Sequence, residues 1–139
     1  VSLRQRVCMS YTLQPIDPGH PNQPYVIQFT TLPNTRRRSE CVLKEEGAGR
    51  VFVDPATMQV TRMELRAPHH AINSGEVGLW YISINYAPIL LVGQTFWMPT
   101  ALTSTATPSD VYTPTVYSFS ARYTDYHKLE VTSHIVPPQ

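Results

Sequence analysis

Hydrophobic and polar residues alternate with a period of two along most of this chain. That is the pattern of strands with one face on a core and the other in water. In residues 7–14, Val7, Met9, Tyr11 and Leu13 share one parity, and Cys8, Ser10, Thr12 and Gln14 share the other. Pro15-Ile16-Asp17-Pro18-Gly19-His20-Pro21 then breaks the strand, because proline has no amide to give a ladder. Tyr25, Ile27 and Phe29 resume the alternation against Val26, Gln28 and Thr30. Two strands joined by such a loop predict an antiparallel hairpin.

A second hairpin is predicted at Asp54-Pro55-Ala56-Thr57, with Asp and Pro in the first two places of a type I turn. It joins the β-rich run Arg50-Val51-Phe52-Val53 to residues 58–65. Residues 67–78, with His69, His70, Gly75 and Gly78, read as a loop. Trp80, Ile82, Ile84 and Tyr86 then alternate with Leu79, Tyr81, Ser83 and Asn85. A turn or bulge is expected near Gly93, after which residues 95–103 pair back, and residues 106–115 read as another loop.

In the last stretch Tyr117, Phe119, Ala121, Tyr123, Leu129, Val131 and Ile135 share one parity, with a bend at Asp125-Tyr126-His127. Tyr117 and Phe119 are expected to be largely buried, with Ser118 and Ser120 on the opposite face. Residues 40–46 fit either a short helix or a strand, and no segment carries a helical apolar stripe. The fold class is therefore all-β. The expectation is one domain over residues 1–139, a curved antiparallel meander sheet, half-barrel-like, with at most a short helix.

Composition narrows the function. Charged residues are 15 % of the chain and the formal net charge is +1, which supplies no broad basic field for nucleic acid or headgroups. No apolar run reaches the ~18 residues of a membrane-spanning helix. The chain starts at Val1 without a signal-peptide pattern, which reads as a processed chain or an excised domain. Cys8 and Cys41 lack the spacing of a zinc site, and the sequence leaves a bridge or two thiols both open.

The candidate chemistry is sparse. His69 and His70 are adjacent, so on an extended chain they point apart and do not share an ion; no metal and no cofactor is expected. Asp125 and His127 lie on one strand face, yet no serine sits in a nucleophile elbow, and the ten carboxylates are scattered. No catalytic residue is assigned, and the chain reads as a non-enzyme. Arg36-Arg37-Arg38 is either a phosphate or acidic-partner contact or a solvated turn. The richest feature is aromatic: Trp80, Tyr86, Phe96, Trp97, Tyr117, Phe119 and Tyr123 form either sheet core or the lining of an apolar ligand site.

Gly49-Arg50-Val51-Phe52-Val53-Asp54-Pro55-Ala56-Thr57, followed by Val60-Thr61-Arg62-Met63-Glu64, resembles a hairpin of bacterial secreted proteins similar to the outer-membrane lipoprotein carriers and lipoprotein-sorting proteins. The later segments 84–89, 93–99 and 122–126 resemble the strands that follow it there. The resemblance spans roughly residues 7–131 and rests on turns and strand faces rather than on catalytic groups. It implies the later portion of a longer periplasmic or secreted protein, a half-barrel holding a lipid or acyl chain on a concave apolar face. The expected function is thus a non-enzymatic envelope or secreted β domain binding an apolar ligand. The alternative is a structural or protein-interaction module acting through a sheet edge, for instance as a homodimer.

Overall fold

The computed structural model describes residues 7–20, 22–33, 39, 41, 43–73, 75–109 and 116–127. Among them are seven strands: β1 (Met9–Leu13), β2 (Tyr25–Thr31), β3 (Ala48–Val53), β4 (Val60–Asn73), β5 (Glu76–Leu91), β6 (Gln94–Pro108) and β7 (Tyr117–Arg122). They form one antiparallel sheet in sequential order from β1 to β7. The sheet is open, with β1 and β7 as its outer strands.

The predicted hairpins form. Leu13 opposes Ile27 and Met9 opposes Thr31 in the first. In the second, Val51 opposes Met63 and Phe52 opposes Arg62 across the Asp54 turn. Asp54 closes that turn with its side chain, Oδ1 accepting from the amides of Ala56 and Thr57 and from the Thr57 hydroxyl. At the β5–β6 turn Val92 and Gly93 have φ of 50° and 74°. Two successive positive φ values belong to a type I′ turn, whose twist matches that of a hairpin.

Two expectations are corrected here. Residues 67–78 are not a loop: β4 continues to Asn73 and β5 begins at Glu76. Pro68 is tolerated in this inner strand because the register shifts between Ala67 and His70, leaving one residue outside the ladder. Likewise Ala106, Thr107 and Pro108 belong to β6. Residues 110–115 and 128–139, and with them Leu129, Val131 and Ile135, lie outside the described residues.

Cross-strand register sorts the side chains into two faces, since directly opposed residues share a face. One row runs Leu13, Ile27, Val51, Met63, Ile84, Leu102, Ala121. The next row on that face runs Tyr11, Phe29, Gly49, Leu65, Ile82, Ser104, Phe119. The opposite face carries Thr12, Gln28, Arg50, Glu64, Ser83, Thr103 and Ser120 in a single row. The sheet therefore has one apolar and one polar face.

Among the described residues the buried hydrophobic ones are Cys8, Phe29, Cys41, Val53 and Ala67. Phe29 opposes Gly49, and a Cβ on Gly49 would come within 2.4 Å of the Phe29 ring and 2.1 Å of the Glu64 carbonyl oxygen. Only glycine fits there, and the phenyl ring takes the space its missing side chain leaves. Cys8 and Cys41 are joined in a disulfide that ties the start of β1 to the segment leading into β3. The same segment is held by Gly47, which exchanges hydrogen bonds with Thr31.

Tyr117 and Phe119 share a face, but the expectation that they are buried is corrected: Phe119 is 62 % exposed and Tyr117 42 %. Alternation assigns a side chain to a face; it does not supply a layer to cover it. Among the described residues, β7 has a neighbouring strand on one side only.

Candidate functional site

The apolar face is the first candidate. Trp80 opposes Ala67 and Ala106 on it, in the inner strand β5. The indole Nε1 of Trp80 donates to Ser104 Oγ at 2.7 Å, and the His70 ring stacks on the indole at 4.5 Å between centroids. His70 Nδ1 in turn bonds the Glu45 carboxylate at 2.6 Å. The shift beside Pro68 brings His70 to this face, because it gives β4 one residue more than β5 between Ala67 and His70. Glu45, His70, Trp80 and Ser104 thus form a polar chain at one end of an otherwise apolar surface. His69 is exposed.

The other aromatic residues are spread along this face. Tyr86 opposes Pro99, and Trp97 opposes Pro88, both with the parity of Trp80 once the register shift beside Tyr86 is counted. Partial burial pushes the Tyr86 phenol above its ordinary range. Tyr117 and Phe119 extend the face onto β7, and Tyr123 follows that strand with its amide donating to the Thr100 carbonyl. Phe96 has the other parity: it opposes Ile89 and is 42 % exposed. Trp80, Tyr86, Trp97, Tyr117 and Phe119 therefore share a face, and Phe96 does not. Asp125 and His127 lie beyond β7, both largely exposed.

A cavity of about 690 Å³ opens on the opposite, polar face. Gln28, Thr30, Arg50, Glu64, Arg66 and Tyr81 line it together with the apolar Phe29, Ala48, Gly49 and Leu79, and none of the aromatic candidates does. Among the lining residues Glu64 is almost fully buried, with a side chain only 7 % exposed, between two half-exposed arginines. Arg50 donates from Nε and Nη2 to Oε2 at 3.0 and 2.6 Å, and Arg62 approaches Oε1 at 2.5 Å. Both guanidinium groups also lie over the Phe52 ring, at 5.5 and 5.6 Å from its centroid. Arg66, next along β4 on this face, is exposed and has no ion-pair partner among the described residues.

The hairpin register explains this cluster. Arg50 opposes Glu64 and Phe52 opposes Arg62, so two residues from each strand meet on one face. Arg-x-Phe before the Asp54 turn and Arg-x-Glu after it are visible in the sequence, but counting back from the turn would set Arg50 against Met63; a register shift between Phe52 and Val53 brings it opposite Glu64 instead. Among the described residues no group of three or more His, Cys, Asp or Glu side chains is placed to hold a metal ion. No described helix is long and apolar enough to cross a membrane. Arg36-Arg37-Arg38 lies outside the described residues. Comparison of the chain with protein-family models, curated proteins and solved structures finds no match.

Proposed function

We propose that this chain is a non-enzymatic β module of the cell envelope or secreted space that holds an acyl chain or similar apolar ligand against the apolar face of its sheet. The observation that carries the reading is an apolar face that crosses all seven strands while much of it stays exposed: Tyr11, Leu13, Tyr117 and Phe119 are between 37 and 62 % exposed. A face of this size left in water favours an apolar partner. The Cys8–Cys41 disulfide agrees with an oxidising compartment, and the resemblance to lipoprotein carriers points to the same ligand class.

Trp80 and Trp97 report on this face. Titration with saturated fatty acids should blue-shift the indole emission saturably. Each buried methylene is worth ~0.8 kcal/mol, so affinity should rise about fourfold per methylene added. A flat response at every chain length would remove the reading. The second reading is a scaffold that pairs through its outer strands β1 and β7. It is favoured instead if the emission is silent while the sedimenting mass rises with protein concentration.

A further inference from the structure

We infer that the polar face holds a second, separate site, for a small hydroxylated organic anion such as a sugar acid or a sugar phosphate. The inference does not rest on the apolar-face reading, because the cavity lies on the other side of the sheet.

The argument begins with charge. Arg50, Arg62 and Arg66 share the polar face with one carboxylate, Glu64, by cross-strand register. Both Glu64 oxygens are engaged, one by Arg50 and one by Arg62. The third cation, Arg66, is left uncompensated among the described residues, and it faces a cavity of about 690 Å³. Cavities of roughly 300–1,000 Å³ take small ligands.

The space beside Arg66 has a local cause. Along its row the order is Thr30, Ala48, Arg66, Tyr81, Thr105, so the direct neighbour on one side is a methyl group. Ala48 leaves open the volume that a longer side chain would fill. The neighbour on the other side, Tyr81, offers a hydroxyl and a ring face. Gln28 and Thr30 line the cavity too and add an amide and a hydroxyl.

Those groups select the ligand class. A guanidinium fork binds a carboxylate or phosphate through paired, charge-assisted hydrogen bonds. The amide and hydroxyl groups around it, beside the apolar surface of Leu79 and the Tyr81 ring, suit a ligand body that carries hydroxyls together with C–H faces, as a sugar ring does. Burial of Glu64 sharpens the selection: its oxygens are already occupied, so it offers little to an incoming cation. A carboxylate and a phosphate on a sugar present the same anionic head to Arg66, and the experiment separates them.

Calorimetric titration at low ionic strength should use glucuronate, glucose 6-phosphate, inorganic phosphate and neutral glucose. Glucuronate or glucose 6-phosphate should bind saturably, roughly tenfold or more tighter than glucose. The stronger of the two identifies the head group, and weaker binding of inorganic phosphate shows that the sugar body contributes. Arg66→Gln should weaken the tighter ligand about tenfold or more, and Ala48→Leu should do the same by filling the cavity without changing charge. Arg122→Gln, at an exposed arginine of the same face on β7, should leave binding unchanged. Circular dichroism confirms that each variant is folded. The proposal is overturned if neither anion binds saturably at millimolar concentration. It is equally overturned if glucose binds as well as glucuronate, or if Arg122→Gln costs as much as Arg66→Gln.

Discussion

The two faces of this sheet are built from the same alternation but hold together differently. On the apolar face, rows such as Ile27, Val51, Met63, Ile84 and Leu102 contribute in proportion to the area each removes from water. Their contributions are many, small and graded by position, from buried Phe29 to largely exposed Phe119. On the polar face a few directional contacts converge on one carboxylate, Glu64, whose burial is tolerable only because both oxygens are bonded. One face should therefore lose stability gradually along the sheet and the other abruptly at one residue.

The largest expected effect tests the buried end of the apolar face. Phe29→Ala removes the ring that fills the space over Gly49, and a buried phenylalanine truncation costs ~3–5 kcal/mol. Urea denaturation should show the midpoint falling accordingly. An unchanged midpoint would mean that the apolar face has no centre.

The next effect belongs to the polar face. Glu64→Gln keeps the shape but removes the charge that Arg50 and Arg62 share. Charge-assisted hydrogen bonds contribute ~1.5–3 kcal/mol each, and half-exposed arginines regain water. The expected loss is about 2–3 kcal/mol. The double variant Glu64→Gln with Arg62→Gln should be less destabilising than the sum of the single changes, because the contacts form one network. Strict additivity in that cycle would show that the arginines act independently.

At the outer strand the apolar face should be nearly indifferent. Phe119 is 62 % exposed, so Phe119→Ala should cost only ~1 kcal/mol, well below the value for Phe29. If the cost approached that of Phe29→Ala, a layer covering β7 in solution would be required.

This gradient also marks what could be read from residues alone. The strands were legible because period two reports which face a side chain takes, and Asp54-Pro55 located a hairpin directly. Cover was not legible: Phe119 and Phe29 have the same alternating surroundings, and only their positions in the strand order separate them. Pro68 and the paired histidines looked like loop residues. A register shift accommodates the proline, and Glu45 and Trp80 satisfy His70; neither partner is near it in sequence. The Arg50–Glu64 pairing was not legible, because the register shifts between Phe52 and Val53 and counting outward from the turn would have set Arg50 against Met63. Of the seven aromatic candidates, Phe96 differs in parity from its neighbour Trp97, and the register puts it on the opposite face.

The smallest effect concerns the turn that sets the register of both faces between β3 and β4. The Asp54 carboxylate is held below its ordinary range, chiefly by the Thr57 amide, then by the Thr57 hydroxyl, with a smaller part from the Ala56 amide. In the unfolded chain the carboxyl regains its ordinary value of ~3.9. A depressed folded-state value means that the ionised form favours folding. The contribution is fully present above about pH 4 and is lost as pH falls through the folded-state value. Asp54→Asn keeps an acceptor for the turn but cannot ionise. The variant's unfolding midpoint should therefore fall less steeply than the parent's on acidification below about pH 4. Asp17 is also held low, by His20 and the Gly19 amide, so the parent's remaining acid slope should persist in this variant. Identical slopes in the two proteins would show that the turn forms without help from the Asp54 charge, leaving the register to the strand faces themselves.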